Sequence, residues 1–337
     1  MHNPKMHEDM AYRSSEGALP EIACLVEYHA AQVLGGYPLD EMVGKLLLDT
    51  LGLGIQETLT FLHRERPGFE RFEQWIVDTV GTPDPDQLSR YHGWLFEMPV
   101  SDGASERLRV IEDMPPVFDD AALSHWDTHG YVILPDAISA EEAAAVRSFI
   151  WRAADAKPDI PQSWYNSQFD GIMISRYHDR SLDAARRSAR VHKAFAQLWG
   201  TADLWLTVDR IGFNPPATPD HPFAGSELHW DVSLMRPIPF GTQAVLYLDD
   251  TANNQGAFRC VPGFHLGIEE WLDGPGKSNP RSVDLSDQQV FVSGKAGDLV
   301  IWRQDLPHGA SANLAHAPRL VQYLNYYSPR MQIRRWI

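Results

Sequence analysis

From Leu204 to Ser328 the chain reads as a succession of short β-like segments with no helical stretch between them. The candidates are 204–213, 227–234, 242–249, 257–261, 289–292, 298–303 and 320–328. Clusters such as Asn214-Pro215-Pro216 and Pro262-Gly263 separate them. Strands that follow one another in this way predict an antiparallel sandwich or a closed barrel.

The first part of the chain has a different texture. Leu39, Met42, Val43, Leu46, Leu47 and Leu51 recur at spacings of three and four, and Gly52 and Gly54 punctuate the end of that stripe. Phe69, Phe72, Trp75, Ile76 and Val80 repeat the pattern. Residues 20–95 are therefore expected to form a small region of three or four helices, with 97–117, ending in Pro115-Pro116, as a linker. Beyond it, Ser139 and Glu142 form a capping-box pair that opens a helix to about Ala154, and a second helix is predicted over about 184–199. The division expected is a helical N-terminal region, 1–115, of unknown role, and a second domain, 116–337.

Composition narrows the function classes. The 337 residues are 44% hydrophobic, enough for a true core. Lys and Arg number 29 against 45 Asp and Glu, a net charge of −16, which disfavours nucleic-acid binding. Cys24 and Cys260 are the two cysteines, so a disulfide framework and a Cys-rich zinc site are excluded. No apolar run is long enough to span a bilayer. The polar first 17 residues read as a frayed tail without the apolar stretch of a signal peptide. A cytoplasmic protein with no membrane partner is the expectation.

The sharpest chemical signal is His229-Trp230-Asp231. On a strand, residues two apart share a face. An imidazole and a carboxylate side by side on a barrel interior are poor apolar packing and good metal ligands. The third ligand is sought downstream, and His308 is the best candidate, just after the β-like run 298–303; His265 and His316 are rivals. Two histidines and one carboxylate make the facial triad of non-haem Fe(II) oxygenases, with coordination positions left open. Arg319 opens the next strand. An arginine entering a barrel interior needs an anion, and a dicarboxylate cosubstrate would supply one through a bidentate pair.

With these residues in view, 117–330 resembles the phytanoyl-CoA dioxygenase-like family of Fe(II)/2-oxoglutarate-dependent oxygenases. The matching stretches are 130–135, His229-Trp-Asp231, Leu248-Asp-Asp250 with Asn254-Gln-Gly256, Val261-Pro-Gly-Phe-His265, Ala296-Gly-Asp-Leu-Val300, His308-Gly309 and Arg319. The resemblance implies an α+β fold: a double-stranded β-helix, or jelly-roll, core with flanking helices. It implies that His229, Asp231 and His308 bind Fe(II), that Arg319 binds the far carboxylate of 2-oxoglutarate, and that O2 is the second cosubstrate. The expected reaction is hydroxylation of a small-molecule metabolite, with succinate and CO2 as co-products. Desaturation, epoxidation and cyclisation use the same site, and a non-catalytic metal-binding relative is the alternative of another class. Halogenases of this type replace the carboxylate ligand by Gly or Ala, so Asp231 favours hydroxylation. Many relatives carry a small hydroxyl residue two positions after the arginine. Here it is Val321, which leaves Tyr323 or Gln243 to supply that hydrogen bond.

Other residues keep two readings. Arg176 and Arg210 lie near places where the family lines its pocket; they are either paired surface arginines or contacts to an anionic substrate. Trp164 and Tyr165 are either pocket wall or core and loop anchors. The helical region is a dimerisation element supporting a homo-oligomer, a lid over the substrate, or a recognition module.

Overall fold

The computed structural model describes residues 19–166, 169 and 171–336, so the polar tail discussed above lies outside the described residues. The chain divides into two compact units, 1–110 and 111–337.

The first unit holds α1 (Leu25–Val33), α2 (Glu41–Leu51), α3 (Ile55–Glu65), α4 (Phe69–Val80), α5 (Pro85–Phe96) and most of α6 (Asp102–Asp113). The spacing argument finds its stripe. Met42, Val43, Leu46, Leu47 and Leu51 are buried with Leu62, Phe72 and Ile76. Asp40 caps α2 by accepting from Met42 N and Val43 N, and Gly52 ends it in the left-handed conformation, φ +77°. His29 is a satisfied core histidine, with Nε2 2.8 Å from Pro67 O and its ring stacked on Phe72. Two expectations need correction. The region has five helices before residue 97, and the expected linker contains α6. Half of that helix is charged, and its apolar stripe is short, Ala104 and Ile111 buried with Leu108 half-buried between them, so it is easily overlooked beside Pro115-Pro116.

The second unit mixes helices with antiparallel sheet. Its helices are α7 (Asp120–His129), α8 (Ala140–Ala153), α9 (Asp183–Arg186), α10 (Ala189–Trp199) and α11 (Ile268–Asp273). The Ser139–Glu142 capping box is present at α8. The helix expected over 184–199 is broken, because Ser188 starts α10 as its own N-cap, accepting from Val191 N. The strands are β1 (Tyr131–Leu134), β2 (Met173–Ile174), β3 (Trp205–Asn214), β4 (Thr242–Tyr247), β5 (Phe258–Cys260), β6 (Val290–Val292), β7 (Leu299–Arg303), β8 (His308–Ala310) and β9 (Arg319–Tyr327). They form a six-stranded sheet, β1-β7-β4-β9-β3-β2, and a three-stranded sheet, β6-β5-β8, antiparallel throughout.

Strand alternation gives the large sheet two different faces. One face carries Leu246, Leu299, Ile301, Leu320 and Leu324, packed in one cluster with Val146, Phe149 and Ile150 of α8 and Val191 and Phe195 of α10. The other carries Val245, Tyr247, Val300, Trp302 and Val321, clustered with Phe258 and Cys260 of β5 and Val292 of β6. This second cluster joins the two sheets. The Tyr247 hydroxyl ties it, donating to Val292 O at 2.7 Å and accepting from Phe258 N at 2.9 Å. Opposite Val321, β3 has Gly212. A Cβ there would stand 2.6 Å from Val321 Cγ2 and 3.0 Å from Tyr323 Cε2, so glycine is what admits Tyr323 to this face.

Candidate metal centre and anion pocket

The strand expected over 227–234 is absent. That segment meets the small sheet through one bridge, in which His229 N donates to His308 O at 2.9 Å and His308 N donates to His229 O at 3.0 Å. Arginines take the place of ladder partners. The Arg281 guanidinium donates to Trp230 O at 2.7 Å and Val232 O at 2.8 Å, the carbonyls on either side of Asp231. Arg259, buried in β5, donates to Ser226 O at 3.2 Å and Ala310 O at 3.0 Å, tying the two histidine-bearing segments to each other. The local alternation has another cause. Trp230 faces a separate cluster with Phe264 and Trp271, which mimics the in-and-out pattern of a strand.

The bridge brings His229, Asp231 and His308 together, with one candidate ligand atom from each lying within 4.8 Å of the others. His229 Nε2 is 3.5 Å from Asp231 Oδ1, and His308 Nε2 is 3.4 Å from Asp231 Oδ2. Each ring's Nδ1 is engaged elsewhere, His229 with Glu227 O at 2.7 Å and His308 with Leu306 O at 3.0 Å. A carbonyl is acceptor-only, so both Nδ1 atoms carry a proton and both Nε2 atoms are turned toward the carboxylate. This is the donor set a divalent ion requires: two neutral imidazole nitrogens and an ionised oxygen. Desolvation opposes ionisation of Asp231, but hydrogen bonds and charge from the two imidazoles outweigh it and hold the carboxyl well below its usual range. Desolvation likewise works against protonation of His229, and Asp231 overcomes it, raising that imidazole above its ordinary value. Asp231 is half-exposed while His308 is buried, so the cluster opens to solvent on the carboxylate side.

Arg319 is among the largest fully buried side chains, 1% exposed. Its Nη2 is 3.4 Å from the Tyr323 hydroxyl, its Nε has no partner, and no carboxylate pairs with it among the described residues. Arg319, Val321 and Tyr323 alternate onto the face that joins the two sheets. A buried guanidinium with an orphaned N–H and no counter-ion is a site for an anion from outside the chain. Both the metal and the dicarboxylate expected from the sequence therefore fit the residues present.

Gln243 lies on this same face, yet its amide reaches the metal-ligand candidate: Nε2 donates to Asp231 Oδ2 at 2.9 Å. Arg176 is exposed beyond the edge strand β2, with its Nη1 on Ser175 O. Arg210 sits on the bulge of β3 between Val208 and Ile211, paired with the neighbouring Asp209. Neither touches the His–Asp–His cluster. Trp164 is buried in the helix-side core, and Tyr165 stacks on His221 with its hydroxyl donating to Pro216 O. His265 stands apart, with Nε2 3.1 Å from Asp127 O. Arg259 and Arg281 carried no recognisable signal in the sequence. Trp302 carried one, its inward parity with Val300 in β7.

A family model for phytanoyl-CoA dioxygenase (PhyH) matches residues 126–321, more than half of the chain, and spans His229, Asp231, His308 and Arg319. A curated protein of Dictyostelium discoideum, named "Putative phytanoyl-CoA dioxygenase", is 21% identical over 256 residues, 60% of this chain and 73% of that one. Among solved structures, the chain is similar to the non-haem α-ketoglutarate-dependent epimerase SnoN of nogalamycin biosynthesis. The identity is 18% over 64% of this chain and 85% of that one, with a TM-score of 0.48. HygX of Streptomyces hygroscopicus, solved with nickel and 2-oxoglutarate bound, is 17% identical over 63% of this chain and 88% of that one, with a TM-score of 0.47.

Proposed function

The chain belongs to the phytanoyl-CoA dioxygenase family, and from that premise we propose that His229, Asp231 and His308 hold its iron and that Arg319, with Tyr323, anchors its 2-oxoglutarate. The protein is an oxidoreductase, an iron- and 2-oxoglutarate-dependent oxygenase acting on a small molecule. We read its reaction as hydroxylation and its two sheets as the walls of a jelly roll. The observation that carries the assignment is the convergence of the three ligand side chains with both imidazole tautomers fixed by backbone carbonyls.

Iron held there would use electrons from 2-oxoglutarate to activate O2, and O2 would supply the oxidising power for attack on an unactivated C–H bond. The chain's own residues do the rest. Glu227 O and Leu306 O keep Nδ1 protonated, so Nε2 of each imidazole stays available as a ligand. Arg319 replaces the water lost by a carboxylate entering the interior, and Tyr323 offers a hydroxyl beside it in place of the one that Val321 lacks. Phe258 and Trp302 line the buried side of His308 and exclude water there.

The test is metal binding by the full chain followed by turnover. Anaerobic titration with Fe(II) is expected to give one site per chain, lost in each of His229→Ala, Asp231→Ala and His308→Ala, with iron-dependent succinate release from 2-oxoglutarate in the parent protein. Stoichiometric iron in the Asp231→Ala and His308→Ala variants would overturn the assignment.

A further inference from the structure

We propose that Gln243 is a positioning residue for Asp231, occupying one carboxylate oxygen through an amide whose own orientation is fixed by Trp302. The inference rests on the metal-centre reading above and assigns to Gln243 a role other than cosubstrate contact.

The argument is one of donors and acceptors. Trp302 Nε1–H donates to Gln243 Oε1 at 3.1 Å, and Gln243 Nε2–H donates to Asp231 Oδ2 at 2.9 Å. An indole N–H can only donate, and an ionised carboxylate can only accept. A carboxamide between them has one orientation that satisfies both ends, and the flipped amide would satisfy neither. Trp302 is itself held. It is buried, tilted against Phe258 at 4.4 Å between ring centroids and against His308 at 5.1 Å. In register, Gln243 on β4 pairs with Trp302 on β7, so adjacent backbone positions of the large sheet set the chain of hydrogen bonds. The sheet thereby reaches a carboxylate that lies on a segment with no strand pairing except the bridge at His229.

The chemical consequence is a division of labour between the two oxygens of Asp231. With Oδ2 engaged by the amide, Oδ1 is left for the ion. A carboxylate without that partner is free to rotate or to offer both oxygens, which would fill a position that substrates of the reaction must share. Leucine at position 243 has nearly the same volume and no polar atom, so it removes both hydrogen bonds and little else.

The experiment compares the full-length parent, Gln243→Leu, Trp302→Phe and Asp231→Ala, each shown by circular dichroism to be folded. Mn(II) affinity is measured by calorimetry, the Co(II)-substituted protein by its visible ligand-field absorption, and 2-oxoglutarate affinity by titration of the Mn(II) form. Gln243→Leu is expected to bind Mn(II) about 10-fold to 100-fold more weakly, the range for losing a partner of a metal ligand, and to show an altered Co(II) spectrum. Trp302→Phe is expected to move both in the same direction by a smaller factor. Should Gln243→Leu fail to fold, Trp302→Phe and the conservative Gln243→Asn carry the test. Loss of metal in Asp231→Ala alongside parent affinity and an unchanged Co(II) spectrum in the Gln243 and Trp302 variants overturns this inference alone. A Gln243→Leu variant weakened toward 2-oxoglutarate, with metal affinity and spectrum unchanged, also overturns it and returns Gln243 to the cosubstrate. Parent-like metal binding by Asp231→Ala overturns the metal-centre reading itself.

Discussion

At the scale of the residue, the site is a set of charges placed where the chain offers them incomplete company. Arg319 is buried beside a phenol with no carboxylate partner among the described residues, so in the proposed role its contribution shows when the anion arrives. Arg319→Leu is expected to raise the apparent KM for 2-oxoglutarate by roughly 30-fold or more. Leaving a buried charge unpaired typically costs ~2–5 kcal/mol, at ~1.4 kcal/mol per tenfold. Arg319→Lys should recover part of that loss, because an ammonium cannot form the same fork. Metal affinity in both variants should stay at the parent value, as a titration with Mn(II) will show. Cys260 illustrates the opposite case. Full burial pushes its thiol up to about 12, so it stays protonated and inert at neutral pH. A disulfide reagent added to the native protein at pH 8 is expected to leave Cys260 unmodified until denaturant is added.

At the scale of the element, sheet and site are separable. The three ligand candidates sit on a three-residue strand and on an irregular segment, while the long strands β4, β7 and β9 supply the wall behind them. The long strands were legible because Thr242–Tyr247, Leu299–Arg303 and Arg319–Tyr327 are apolar on both faces, one toward the helices and one toward the small sheet. The His308 strand was not, because His308–Ala310 is too short to show a period, and the 227–234 segment imitates a strand while making a single bridge. The grouping of His229, Asp231 and His308 was nevertheless readable from residue type, since an HxD pair and a distant His-Gly carry chemistry that does not depend on the element that bears them. What holds them was hidden, because Arg259 and Arg281 act through backbone carbonyls and leave no pattern in the sequence. Arg281→Met is expected to lower metal affinity at least 10-fold, with only a small change in the urea midpoint. The carbonyls of Trp230 and Val232 then lose their donor while both apolar clusters of the large sheet remain intact. Calorimetric metal titration beside a urea melt separates the two effects.

At the scale of the whole molecule, every residue assigned to the site falls in the unit 111–337, and the helical unit brings no ligand constellation among the described residues. Residues 111–337 expressed alone are expected to unfold cooperatively and to bind Mn(II) with parent affinity, checked by thermal melting and calorimetry. The helical unit would then serve solubility, assembly or substrate closure. None of the described helices is long and apolar enough to cross a membrane. The reciprocal backbone bonds between His229 and His308 also have a kinetic meaning. Two candidate ligands from distant parts of the chain share one closure, so neither amide can meet solvent unless the other is freed as well. Deuterium should therefore enter both positions at a common rate set by a single opening event, and a bound ion, by holding both imidazoles, should slow the two exchanges by the same factor.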